Sequence, residues 1–300
     1  MQNKNYEIHT DLALERYKAD TKKRGVHYSE ESESGITLCE LDISDEESAE
    51  AQGIPMGKYT TLSFENLGEM QSIRQEDLSK VLCKTLKSYA LRSAKKEKIK
   101  DISVLIAGLG NRYLTADAIG PLSIKYITAT NHISEISPDI FKTHFGSRIS
   151  LISPGVMSQT GLESSYIIRS ICRECDFDLV IVIDSLAARS CDRLATTIQL
   201  CDTGITPGSG IGNTREALNE KSLGVPTVAI GVPTVVKSST LVYDALKDAD
   251  ITDISEKLQK TLESGKSFYV TSKDSDTVSE NAAKVISSAI NSLFNAELYI

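Results

Sequence analysis

The chain has 300 residues, 40% of them hydrophobic and 25% charged, with a formal net charge of -8; this is the balance of a globular protein with ample material for a core. A net negative chain neutralises phosphates poorly, which argues against broad, sequence-independent binding to nucleic acid and favours basic or neutral partners. No run approaches the roughly 18 apolar residues of a membrane span, the polar start Met1-Gln2-Asn3-Lys4-Asn5 lacks a signal-peptide core, and the six cysteines read as free thiols, so a cytoplasmic location is expected.

Between Gly25 and Gly57 there are nine acidic residues and no Lys or Arg. The acidic runs 29–34 and 45–47 read as solvated faces flanking Ile36 to Ile43, whose alternation fits an antiparallel strand with one wet side. Tyr59 to Phe64 is a second candidate strand. Residues 74–98 form an expected amphipathic helix with Lys80, Lys84, Lys87, Lys95 and Lys96 outward.

From Asp101 the texture changes to apolar strands alternating with helical segments, the pattern of a mostly parallel, doubly wound α/β sheet with helices on both faces. Strands are expected near 102–108, 149–152, 178–184, 196–201, 225–231 and 267–271. Helices are expected at 117–130, 161–175, 213–221, 239–248, 252–263 and 275–294. The regions divide into an acidic strand region at about 25–67 and a core at about 101–300, within one α/β domain carrying an added N-terminal antiparallel element.

Two aspartates stand out. Asp117 follows the apolar run 104–107 and the turn Gly108-Leu109-Gly110-Asn111; Asp184 ends the run Leu179-Val180-Ile181-Val182-Ile183. Ligands collect outside the carboxyl ends of strands in open α/β sheets, so the two carboxylates are candidates for one site. Two acids in one site do not both ionise cheaply; one keeps its proton, which is the arrangement that general acid and general base catalysis requires. Taken singly, a helix cap at Asp117 and a structural acceptor at Asp184 explain the residues equally well.

The Gly108-Leu109-Gly110 turn lacks the third glycine of a dinucleotide fingerprint, since Tyr113 occupies that position, and no acid for a ribose follows at about twenty residues. No cofactor is expected. His9, His27, His132 and His144 are scattered without ligand spacing, and the lone Cys172-Arg173-Glu174-Cys175 falls in a helical pattern, so no metal is assigned. Two further stretches, 153–163 and 201–213, are rich in Gly, Pro, Ser and Thr, and each lies between a strand and a helix. Gly155, Gln159 and Glu163 from the first, and Gly208 and Gly210 from the second, are candidate substrate-binding residues, with loop amides available to a peptide or an oxyanion.

These residues together resemble the germination protease family of spore-forming Firmicutes. The resemblance rests on Gly108-Leu109-Gly110-Asn111, Asp117-Ala118-Ile119-Gly120-Pro121, Pro154 to Gly161, Ile183 to Arg189, the 201–213 loop and Ala229 to Val236. It implies an endopeptidase of the forespore or spore core that degrades small acid-soluble spore proteins, made as a zymogen and assembled as a homotetramer, with Asp117 and Asp184 as the catalytic pair. It also implies that Thr10-Asp11-Leu12-Ala13 is a self-processing site, cut between Asp11 and Leu12, with 1–11 as propeptide and 12–300 as the peptidase domain. The fold is expected to be similar to that of hydrogenase-maturation endopeptidases, whose acidic metal ligand aligns with Asp117 but whose histidine has no counterpart after His144. The chain departs from the germination protease pattern at Ser158, where glycine is expected, and at Lys237, where aspartate is expected. A metal-dependent endopeptidase and a non-peptidase small-molecule-binding protein stand as the alternatives.

Overall fold

In the computed structural model, the described residues are 10–17, 25–212, 215–251, 255–264 and 268–295. Of the propeptide assigned to 1–11, all but Thr10 and Asp11 lies outside them, as do Asn213 of the 201–213 loop and the start of the helix expected at 252–263.

A nine-stranded sheet organises the described chain: β1 (Val26–Glu33), β2 (Ile36–Ile43), β3 (Gly57–Ser63), β4 (Ser103–Gly108), β5 (Arg148–Ile152), β6 (Leu179–Ala188), β7 (Thr197–Cys201), β8 (Thr227–Lys237) and β9 (Tyr269–Val270). The order is β1-β2-β3-β7-β8-β6-β4-β5, with β9 added against β8. Strands β5, β4, β6 and β8 run parallel; β7, β3, β2 and β1 continue the sheet antiparallel. The α/β expectation and the N-terminal antiparallel element therefore hold.

The parallel strands are buried on both faces. Val104, Ile106, Ile181, Ile183, Val228 and Ile230 point to a large core, which includes buried residues of the helices Ser72–Ala94 and Ser275–Phe294. Leu105, Ala107, Val180 and Val182 point to a second core that includes Ile168 of the helix Ser164–Glu174. Alternate residues thus serve opposite layers, which is why these strands read as unbroken apolar runs. β4 pairs with β5 on one side and β6 on the other, so the chain reverses its winding direction beside β4, where a crevice opens at the carboxyl ends.

Several elements differ from the sequence reading. The acidic run 29–34 is solvated, as read, but it lies on a strand the sequence did not suggest: Ser29 to Glu33 belong to β1, an exposed edge strand joined to β2 by a turn with Ser34 and Gly35 both at positive φ. Such a strand has no apolar alternation to betray it, and its charges suit an edge that must not recruit another strand. Asp117 does not begin a helix; it ends a 3-10 turn, Thr115–Asp117, and the helix that follows covers only Ile119–Tyr126. Two short helices, Asn131–Ile136 and Pro138–His144, fill the connection to β5. The helix expected at 213–221 is reduced to Glu220–Leu223, because Leu218 bonds back to Ile205 in both directions (3.0 and 2.7 Å) and Asn219 caps the shortened helix. β6 and β8 run on past their expected ends, with a register shift between Leu186 and Ala187 that leaves Thr234 of β8 as an extra residue.

Candidate active site

Asp184 lies inside β6 rather than at its end. Its neighbour Ile183 makes the last pairing with β4, opposite Gly108, so β4 stops where Asp184 begins to face open space. Two glycines let the next helix approach this point: a side-chain carbon on Gly108 would lie 2.3 Å from Gly120 O, and one on Gly120 would lie 2.6 Å from Ile183 O. Gly110 adopts φ +109, and a side chain there would strike the backbone of Asp117. The glycines of both motifs thus bring the Asp117 turn against β6. The turn is fixed by Thr234, whose hydroxyl donates to Ala116 O at 2.6 Å, and by Ser279, whose hydroxyl donates to Thr115 O at 3.0 Å.

Asp117 and Asp184 line one crevice of about 240 Å³, together with Arg215, Ser185 and Asp11. The two acids differ in environment. Asp184 is 5% exposed; burial, then the negative charge of Asp117, holds its carboxyl well above the usual carboxylate range, against the opposing Ser185 N–H at 2.9 Å, with Asp11 adding to the rise and Arg215 opposing it. Asp117 is also raised by burial, with opposition from the Asn111 N–H, which donates to it at 2.9 Å, and from the Arg215 guanidinium. As pH rises, Asp117 ionises first and Asp184 keeps its proton. The pair can therefore supply one base and one acid.

The segment Thr10 to Arg16 lies against the end of β6, and Asp11 is its one residue that lines this crevice. Asp11 N–H donates to Ala187 O at 2.9 Å, while the Asp11 carboxylate accepts from Ala187 N–H at 2.9 Å and from the Ser209 hydroxyl. Gly210 makes room for it: a side-chain carbon there would lie 2.4 Å from the Asp11 carboxylate. Leu12 is 1% exposed and packs with Leu186, Ala188 and Val236. Leu12 N–H donates to the Thr10 hydroxyl at 3.1 Å, and that hydroxyl donates to Glu15. The Glu15 carboxylate also accepts the N–H groups of Arg189 and Ser190 at 2.7 and 2.8 Å, tying the segment to the end of β6. Arg16 closes the loop through Thr10 O, with nitrogens at 3.1 and 2.6 Å. A larger cavity of about 410 Å³ continues on the far side of Asp11, lined by Arg16, Tyr59 and Ile205 among others.

Of the loop residues singled out from sequence, Gly208 lines the crevice with φ +72, and Gly210 backs Asp11. Gly155, Gln159 and Glu163 do not line it, although their neighbours Val156 and Ser164 do. Gln159 is exposed and donates to Asn111 Oδ1 at 2.8 Å; the Glu163 backbone carbonyl accepts from the first turn of the helix Ser164–Glu174. Gly155, at φ +72, accepts the Ser164 hydroxyl through its carbonyl at 3.0 Å. Sequence reasoning passed over Arg215, Ser209, Thr234 and Gln199. Only Gln199 carried a signal, as a lone amide inside the apolar strand Thr197-Ile198-Gln199-Leu200-Cys201. Among the described residues, no group of three or more His, Cys, Asp and Glu side chains is arranged to hold a metal ion, and no helix is long and apolar enough to cross a membrane.

The germination protease family model matches residues 4–252. A germination protease of Caldanaerobacter subterraneus subsp. tengcongensis is 38% identical to this chain, covering 95% of it and 93% of the relative. Germination proteases of Clostridium tetani and Clostridium perfringens are 34% and 33% identical, each covering 95% of this chain and 94% of the relative. The solved [NiFe] hydrogenase maturation protease HycI of Thermococcus kodakarensis KOD1 aligns with 64% of this chain and 97% of its own at 15% identity, and its TM-score of 0.34 adds nothing to what the sheet itself establishes. By the family match and by relatives above 30% identity along almost its whole length, the chain belongs to the germination protease family and is a peptidase of spore germination.

Proposed function

We propose that the chain is a zymogen that cuts its own Asp11–Leu12 bond and then cleaves small acid-soluble spore proteins at acid-hydrophobic junctions, using Asp117 and Asp184 as an aspartic-type pair. The observation that carries this reading is the docking of Asp11 in the crevice that both aspartates line, with Leu12 in an apolar pocket beside it. The acid before the bond is read by Ser209 and the Ala187 N–H, and the hydrophobic residue after it by Leu186, Ala188 and Val236.

Asp117, as carboxylate, takes a proton from a water that attacks the Asp11 carbonyl carbon. The carbon–nitrogen bond then breaks as Asp184 passes its proton to the Leu12 nitrogen. The products are a carboxylic acid on residue 11 and an amine on Leu12, which become carboxylate and ammonium as the acid's proton passes to the amine; proton transfer from Asp117 back to Asp184 restores the pair. Residues 1–11 are the propeptide in this reading and 12–300 the peptidase domain. Tethering gives the leader a high effective concentration at the site, so it both occupies the crevice and is cut first.

The formal charge of -8 suits basic substrates, and the forespore or spore core, with a homotetrameric assembly, completes the proposal. Intact mass of the purified full chain, held at mildly acidic and neutral pH, tests it. Loss of residues 1–11 from wild type and not from Asp184→Asn is expected. No loss from wild type, together with no cleavage of a Thr-Asp-Leu-Ala peptide, overturns the reading.

A further inference from the structure

Gln199 is 7% exposed in the middle of β7, a position where an amide is costly unless its hydrogen bonds are met. Its partners are not in the sheet. Gln199 Oε1 accepts from Ala13 N–H at 2.7 Å, and Nε2 donates to Asp11 O at 3.2 Å. The orientation of the amide follows from chemistry: the Ala13 N–H is only a donor, so it must face the carbonyl oxygen, and the NH2 group is left for the Asp11 carbonyl.

The sheet places this amide opposite the acid. Gly231 of β8 pairs with Asp184 of β6 on one side and with Gln199 of β7 on the other. The three residues form one row across three strands, with side chains on the face opposite the larger core. Two strand spacings separate the Asp184 and Gln199 backbones, about 10 Å. The middle member has no side chain, and Leu186 occupies the space above it. A side-chain carbon on Gly231 would lie 2.4 Å from Leu186, which itself packs on Leu12.

Resting on the reading that Asp11–Leu12 is the scissile bond, we propose that Gln199 is a catalytic residue: Nε2–H holds the oxyanion that forms on Asp11 O, while Oε1 grips the leaving chain through the N–H of the residue two beyond Asp11. A donor fixed on a strand and shielded from water is already aimed where charge develops, so little reorganisation accompanies the reaction. Removal of residues 1–11 takes away the Nε2 partner but not the position of the donor, which then serves the carbonyl of an incoming substrate. The sequence reading offered loop amides from 153–163 and 201–213 for this donor; the proposal gives the role to a strand side chain.

Gln199→Glu separates the two contacts, because it keeps an acceptor for Ala13 but, when ionised, has no donor for Asp11 O. Self-cleavage of the full chain at neutral pH, followed by intact mass, is expected to slow by about 10²–10³-fold, with docking of 10–17 unchanged by hydrogen exchange. The rate is expected to recover toward acid as the introduced carboxyl gains a proton and becomes a donor again. Wild-type speed in Gln199→Glu overturns the proposal, as does a loss that tracks release of the segment and does not recover with acid. If Asp184→Asn is inactive while Gln199→Glu is not, the aspartic reading stands and only the amide's role falls. If wild type cleaves neither itself nor a Thr-Asp-Leu-Ala peptide, both fall.

Discussion

Asp11 and Ala187 exchange two hydrogen bonds, one from the Asp11 N–H to Ala187 O and one from the Ala187 N–H to the Asp11 carboxylate, both 2.9 Å long. A residue near the start of the chain is thereby read by backbone and side chain together, three positions along β6 from Asp184. Ala187 follows the register shift between β6 and β8 and lies beyond Ile183, the last β6 residue paired with β4.

In the proposed mechanism, replacement of either acid by its amide removes a proton-transfer group without removing volume. Asp117→Asn and Asp184→Asn are each expected to slow self-cleavage by about 10²–10⁴-fold while the far-ultraviolet circular dichroism is unchanged. Full activity in either variant, read by intact mass, defeats the pair.

Asp184 has its folded pKa raised by burial and by Asp117. A raised folded pKa means that its proton stabilises the native state fully below the unfolded carboxylate value, near 3.9, and that this stability is lost as pH rises toward the folded value. Between the two values one proton accounts for about 1.4 kcal/mol per pH unit. Asp184→Asn does not ionise, so it is expected to melt above wild type at neutral pH, with the gap closing toward pH 4. Differential scanning calorimetry across that range checks the sign; a gap that widens toward acid contradicts it.

Gly210→Ala places a carbon 2.4 Å from the Asp11 carboxylate and 2.8 Å from Ala187 Cβ. Asp11 must leave its position or β6 must shift, so self-cleavage is expected to fall by more than 10-fold, about 1.4 kcal/mol. Because the contact is with the docked segment, cleavage measured against melting temperature should show a larger effect on the former.

Leu12 fills a pocket that Leu186, Ala188 and Val236 form. Leu12→Ala removes buried methyl groups at a cost of about 2–5 kcal/mol, spread between segment docking and the fold. Faster proteolysis of 10–17 by an added protease, with slower cutting at residue 11, is the expected pair of changes; equal self-cleavage in the variant argues that the pocket does not select the residue after the bond.

The strands of the parallel sheet were legible because both faces are covered, so Val104 to Ala107 and Leu179 to Ile183 are apolar without interruption. β1 was not, since an edge strand exposed on nearly every residue carries no periodic signal. The short helices at 131–136 and 138–144 and the truncated helix at 220–223 depend on Pro138, on the Ile205–Leu218 bridge and on the Asn219 cap, which are local events that a periodic pattern overruns. The two aspartates stood out on the same grounds as the strands, because each follows an apolar run and precedes a break in it.

By itself the sequence determined the α/β pattern, the glycines that demand close backbone approach, and the family, since all three are properties of residues adjacent in the chain. Only the tertiary structure set the two acids in different environments, because burial of Asp184 and the Asn111 N–H on Asp117 arise from packing. It also decided what faces the Asp11 carbonyl. Asp11 and Gln199 are far apart in the chain, and the row that sets Gln199 across Gly231 from Asp184 depends on β7 running antiparallel to β8, a pairing of strands that no periodicity records.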